Sequence, residues 1–100
     1  MSQRALRLDP YILDVLMRDL VGHDRAPSAF VVYLWLWRMT HGRGRATYGA
    51  SLGDIAAATG LAKSSVQNAV RRLSRRRLIA AFRAGPTLAP VYTVHETWKR

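Results

Sequence analysis

The sequence predicts an α+β, mainly helical domain, and three observations carry that reading. Apolar residues recur at helical spacing through most of the first 76 positions. Two short β-like runs close the chain, separated by a segment with a proline near each end. About half of the 100 residues are apolar, enough to fill one core and no more.

The first eight residues carry no pattern and are expected to fray. Asp9 followed by Pro10 then reads as a helix start, an N-cap acceptor before a proline whose fixed φ suits the first helical position. Ile12, Leu13, Leu16, Met17 and Leu20 continue at helical spacing, and Gly22 is placed to end the helix in a left-handed cap, giving a first helix over about 10–21. After a turn over 22–27, Ser28 is expected to cap a second helix that runs to about His41 and is closed by Gly42. Its apolar residues (Phe30, Val31, Val32, Leu34, Trp35, Leu36, Trp37, Met39) cover nearly every face, so it must be buried on most sides. One way for so short a chain is to bury one face in the core and another in a second subunit. The segment is rich enough in β-branched and aromatic residues to be a strand, but its length and caps favour a helix.

The Gly-Arg-Gly-Arg stretch that follows reads as a flexible basic loop, and Ala46–Gly49 as a short strand. A phosphate-cradling loop would need a strand before it and a helix directly after it, and neither is evident. Ser51 with Asp54 three residues on has the form of a capping box, opening a short helix to about Ala58 that Thr59 and Gly60 break. A longer helix spans about Lys63 to Arg76, with Val66, Ala69, Val70 and Leu73 on its inner face. The runs Leu78–Arg83 and Val91–His95 then read as a hairpin around AGPTLAP, and ETWKR is a short, partly charged tail. The whole is expected to be one domain over 1–100, with N-terminal helices over 9–45 and a second half over 46–95.

Charge narrows the function. Sixteen Lys and Arg stand against six acids, a net charge of +10. Five of the acids (Asp9, Asp14, Asp19, Asp24, Asp54) lie in the first 54 positions. From Ile55 to His95 there is none, while Lys63, Arg71, Arg72, Arg75, Arg76, Arg77 and Arg83 accumulate. A basic half without compensating acids is the footprint of a polyanion binder. Arg outnumbers Lys by fourteen to two, which suits phosphate and guanine recognition.

The residues SLGDIAAATGLAKSSVQNAVRRLSRRRLI resemble the helix-turn-helix of winged-helix DNA-binding proteins, a pattern shared by bacterial regulators of the MarR and GntR type and by plasmid replication initiators. The resemblance covers about residues 46–95. Ala56 is small where two helices must approach, Gly60 sits at the turn, and Val66 is the apolar knob of the second helix, with Ile55 and Leu61 completing that small core. Two positions depart from the pattern. Ala62 stands where a Ser or Thr usually caps the recognition helix, at a cost of about 1 kcal/mol. Arg77 stands where a glycine often precedes the Leu-Ile pair, which predicts a tighter or shifted turn.

The resemblance implies a winged helix-turn-helix with an additional N-terminal helix and a C-terminal β-hairpin wing. It also implies double-stranded DNA as partner, with the N-terminal half of the helix from Lys63 in the major groove. Gln67 and Asn68 then present amides to adenine edges, Lys63 or Arg71 reaches guanine acceptors, and Ser64 and Ser65 bond phosphate or base. Arg72 and Arg75, with Arg76 and Arg77, are expected at phosphates or on the solvated end of the helix. The wing offers only Arg83, and Arg43 and Arg45 on the preceding loop are further phosphate candidates. An exposed arginine taken singly reads equally well as a solvated charge; the group does not.

Other chemistries find little support. There is no cysteine, and His23, His41 and His95 are scattered, so neither a disulfide framework nor a metal site is expected. No nucleophile motif or paired titratable groups suggest an enzyme or a cofactor. Tyr33, Trp35 and Trp37 read as core or subunit packing before they read as a ligand cage. The longest apolar run, Ala29–Trp37, is far short of the roughly 20 residues a membrane helix needs, so a cytoplasmic protein without membrane contact is expected. The sequence therefore points to sequence-specific DNA binding by a transcriptional regulator, with a homodimer formed through the N-terminal helices. Rival readings are a plasmid or phage replication or partition protein, an RNA-binding module, and a winged helix that binds an acidic protein.

Overall fold

The computed structural model of the chain describes residues 5–96. Part of the segment expected to fray, residues 1–4, lies outside the described residues, as does most of the charged tail.

The first helix, α1, runs over 10–23. Asp9 starts it, its Oδ1 accepting from the Tyr11 amide at 2.9 Å. Within α1 the segments Ile12–Leu16 and Arg18–His23 are π-helical, closed by bonds from the Met17 amide to the Ile12 carbonyl and from the Asp24 amide to the Asp19 carbonyl. These five-residue spans widen the turn beyond the 3.6 residues of an α-helix. A strict four-residue repeat then stays in line. Ile12, Leu16 and Leu20 all point into the core, whereas Leu13, Met17 and Val21 form a second line that is exposed. Spacing alone does not separate the two lines; burial does. Gly22 does not end this helix. The chain passes through it in helical conformation to His23, and the left-handed residue is Arg25, at φ 54°.

Helix α2 is Pro27–Met39. Pro27 takes the first helical position and Ala26 the cap, so Ser28 lies inside the helix and caps nothing. Nor does Gly42 stop it. The helix ends at Thr40, a 3₁₀ turn over His41–Arg43 follows, and Gly44 provides the left-handed closure at φ 66°. Helix α2 is the axis of the core. Its Phe30, Val32, Tyr33, Leu36 and Trp37 are buried against α1, the later helices and the sheet. Burial pushes the Tyr33 phenol up, the charges of Glu96 and Asp9 acting in the same direction, and as a neutral donor it binds the His95 carbonyl at 3.1 Å. Trp37 donates its indole N–H to the Arg7 carbonyl at 2.9 Å and stacks on His41 at 4.1 Å.

The second half follows the expected order: β1 (Tyr48–Gly49), α3 (Leu52–Thr59), α4 (Lys63–Arg75), β2 (Ile79–Phe82) and β3 (Val91–Val94). Ser51 and Asp54 make the reciprocal capping box of α3, both bonds being 3.0 Å. Gly60 turns the chain between α3 and α4 at φ 81°, a conformation that would strain a side-chain-bearing residue. Helix α4 begins at Ala62 with no side-chain cap. Val66, Ala69 and Leu73 are buried beneath it and Val70 half-buried. The antiparallel sheet has the order β1-β3-β2, with Tyr48 opposite Tyr92, Ile79 opposite Val94 and Phe82 opposite Val91. Ile79, Tyr92 and Val94 face the core. Strands β2 and β3 form the wing, and the fold is a winged helix-turn-helix preceded by one extra helix.

The turn after α4 is neither tightened nor shifted. The Leu78 amide bonds the Leu73 carbonyl at 2.9 Å and the Arg77 amide the Ser74 carbonyl at 3.0 Å, the paired bonds of a Schellman cap. Arg77 holds the left-handed position itself, at φ 58°. An L-residue with a Cβ is strained there by about 1–2 kcal/mol, part of which glycine returns through its freer unfolded chain. Arg77→Gly is therefore expected to raise stability by about 0.5–1 kcal/mol in chemical denaturation. A variant less stable than the parent would mean that the arginine side chain holds the turn.

Candidate nucleic-acid interface

The burial of Val66, Ala69 and Leu73 sets which side of α4 faces outward. Lys63, Ser64, Gln67, Asn68, Arg71 and Arg75 are exposed, while Ser65 and Arg72 are half-buried. Two clefts flank this outer face. Toward the wing, Gln67 and Arg71 meet Arg83 across a hollow floored by Val70 and Tyr92. Burial pushes the Tyr92 phenol up despite the opposing charge of Arg83, so that floor stays neutral. Toward α2, Asn68, Arg71, Arg72 and Arg75 share a polar cleft with Arg25 and Ser28. Arg71 lines both, and is the one arginine common to the two sides.

Lys63 and Arg83 also face one another across a hollow beside the first residues of α3. Arg83 is partly engaged already, its Nη1 donating to the Leu88 carbonyl at 2.8 Å to brace the wing loop. Arg43 and Arg45 lie outside all three hollows; Arg43 reaches back to Met39 Sδ at 3.9 Å.

The basic residues of α4 fall into two electrostatic groups. Arg76 donates to Asp24 at 2.7 Å and lies 3.6 Å from Asp19, and Arg72 approaches the same Asp24 oxygen at 3.5 Å. His23 Nδ1 sits 3.1 Å from the other Asp24 oxygen. The Asp24 side chain is only 6% exposed, and burial alone would raise its pKa. The hydrogen bonds from His23 and Arg76 and the charges of Arg76 and Arg72 outweigh that and hold the carboxyl below its ordinary range. By contrast, among the described residues Lys63, Arg71 and Arg75 have no acidic partner. The positive charge left uncompensated on α4 is thus on its outer face, beside the two side-chain amides.

Arg25 and Ser28 are the interface candidates that sequence reasoning missed. In the sequence, position 25 reads only as part of a turn, and Ser28 as a cap. The signal in the sequence is the arginine itself, the one Lys or Arg in the turn over 22–27.

Among the described residues no three His, Asp or Glu side chains converge as metal ligands, and no helix is long and apolar enough to cross a membrane. Residues 26–79, more than half of the chain, match the family model of a helix-turn-helix domain. No curated protein and no solved structure matches the chain.

Proposed function

We propose, for a chain that belongs to the helix-turn-helix domain family and so binds DNA, that it recognises double-stranded DNA sequence-specifically through α4 and acts in the cytoplasm as a transcriptional regulator. The observation that carries this reading is the outer face of α4, where Gln67 and Asn68 stand beside Lys63 and Arg71, exposed and free of acidic partners. Amides can pair bidentately with adenine, and arginine or lysine with guanine, in the major groove. Ser64, Ser65, Arg72 and Arg75, with Arg83 from the wing, then serve the backbone on either side, and Arg43 and Arg45 extend that set. The role of regulator rests on the likeness to MarR- and GntR-type regulators. A replication or partition protein would use the same face on repeated sites.

The binding unit in this reading is a homodimer joined through the N-terminal helices. Leu13, Met17 and Val21 present an exposed apolar line along α1, flanked by Asp14 and Arg18. Antiparallel pairing of two such helices sets Asp14 near the partner copy's arginine, where parallel pairing would oppose like charges.

The test is fluorescence anisotropy with random-sequence duplex, matched single strand and RNA across a salt series. Duplex is expected to bind best, with a steep salt dependence. Arg71→Ala should weaken binding about tenfold and lower the salt slope by about one. Stoichiometric titration should show two chains per duplex site. Equal affinity for the three nucleic acids, or an unaltered Arg71→Ala variant, would sink the α4 reading; a 1:1 complex would sink the dimer.

A further inference from the structure

Arg25 has an unusual position. It is exposed, it holds a left-handed φ of 54°, and it lies 46 residues before Arg71, yet both line the same polar cleft between the start of α2 and the outer side of α4. The other polar contributors are Ser28, Asn68, Arg72 and Arg75. Of the four guanidinium groups, only Arg72 has an acid beside it among the described residues. Three uncompensated cations converging on one hollow repel each other unless an anion occupies it. Glycine would adopt the backbone of position 25 without strain, so what the arginine adds there is its side chain.

We propose that this cleft is a seat for a phosphate of the DNA backbone, with Arg25 as a direct contact on an element outside the helix-turn-helix pair. This rests on the α4 reading given above and extends it. The occupant is the strand already held by α4 rather than a free anion, because Asn68, Arg71 and Arg75 belong at once to the cleft and to the exposed face of α4. A backbone running along that face enters the cleft without leaving α4. A phosphate there meets the planar donors of Arg25, Arg71 and Arg75, and Ser28 can supply a hydroxyl. Arg72, held from below by Asp24 at 3.5 Å, keeps further N–H donors for the cleft.

Arg25→Gly separates this role from a structural one, since it removes the side chain while relaxing the backbone. The thermal midpoint is expected to stay level or rise. Duplex affinity at moderate salt should fall about three- to tenfold, and the slope of log affinity against log salt should drop by about one. Arg25→Lys, which restores a cation but not the planar fork, should recover most of the slope and only part of the affinity. Inorganic phosphate added at constant ionic strength should compete with duplex more effectively on wild type than on Arg25→Gly, because it takes the same seat. Unchanged affinity and slope in Arg25→Gly, with Arg71→Ala still weakened, would overturn the phosphate seat and leave the α4 reading standing. If neither variant is weakened, both fall. Phosphate binding that is lost in Arg25→Gly while duplex affinity and salt slope stay those of wild type would mean that the cleft takes a free anion, and would overturn the assignment to DNA.

Discussion

Leu73→Ala is expected to cost about 2–5 kcal/mol of stability, the range for truncating a fully buried leucine. Leu73 is 0% exposed and lies under α4 in the same core as Ile55, Val66 and Leu78. Its carbonyl also accepts the Leu78 amide in the cap that turns α4 into the wing. The cavity would therefore open in the shared core beneath the last turn of α4, beside the cap that leads into the wing. For a domain of this size each kcal/mol corresponds to roughly 4–8 °C in thermal midpoint, so a fall of at least about 8 °C should be read by calorimetry or circular dichroism. Truncating Arg75, exposed on the opposite side of the same helix, should change stability by no more than about 0.5 kcal/mol. A loss below about 1 kcal/mol for Leu73→Ala would mean that α4 is not seated on this core.

Asp24→Asn carries the second large effect, and pH gives it a distinctive signature. The substitution removes the charge that Arg72, Arg76 and His23 share, at positions that tie the end of α1 to the last turns of α4. Hydrogen bonds to a charged group contribute about 1.5–3 kcal/mol. The lower part of that range is expected, because Arg72 and Arg76 are 40% and 34% exposed and regain water when released. The Asp24 carboxyl sits below its ordinary value in the folded chain. A group depressed in this way adds its stability above its unfolded pKa of about 3.9 and surrenders it as pH falls through the folded value. The gap between parent and variant should stay constant from about pH 5 to 8 and close progressively below about pH 4. Urea unfolding at pH 7 and at pH 3 checks this. A gap of the same size at both would show that the carboxylate charge has no part in the latch.

Much of the second half of the molecule is legible in the sequence, and particular residues show why. Ser51 and Asp54 close a box within one turn, Gly60 takes a φ that favours glycine, and Val66, Ala69 and Leu73 repeat at the spacing of one helical face. Each is a signal written within a few residues of chain. The two helix ends misjudged in the first half were also read from local signals, Gly22 and Gly42, but a glycine is only permitted to turn left-handed and is not obliged to. Helix α1 continues through Gly22 to His23, whereas α2 stops at Met39, short of Gly42, and Arg25 and Gly44 take the left-handed positions instead.

By itself, then, the sequence determined which segments are helix or strand in residues 46–95, which side of α4 is apolar, and that the chain carries a large positive charge. These depend on covalent neighbours, side-chain periodicity and composition. Only the tertiary structure decided which of those charges remain available. Asp24 stands 48 residues before Arg72 and 52 before Arg76, and no periodicity links them; folding α1 back against the end of α4 places one nearly dry carboxylate within 2.7–3.5 Å of two of the arginines. The same fold brings Arg25 to the cleft of Arg71 and Arg75 and lines up Leu13, Met17 and Val21 along the outside of a widened helix. Charge is additive along a sequence, but its compensation depends on distance in space and on exclusion of water, and both are set only when the helices pack.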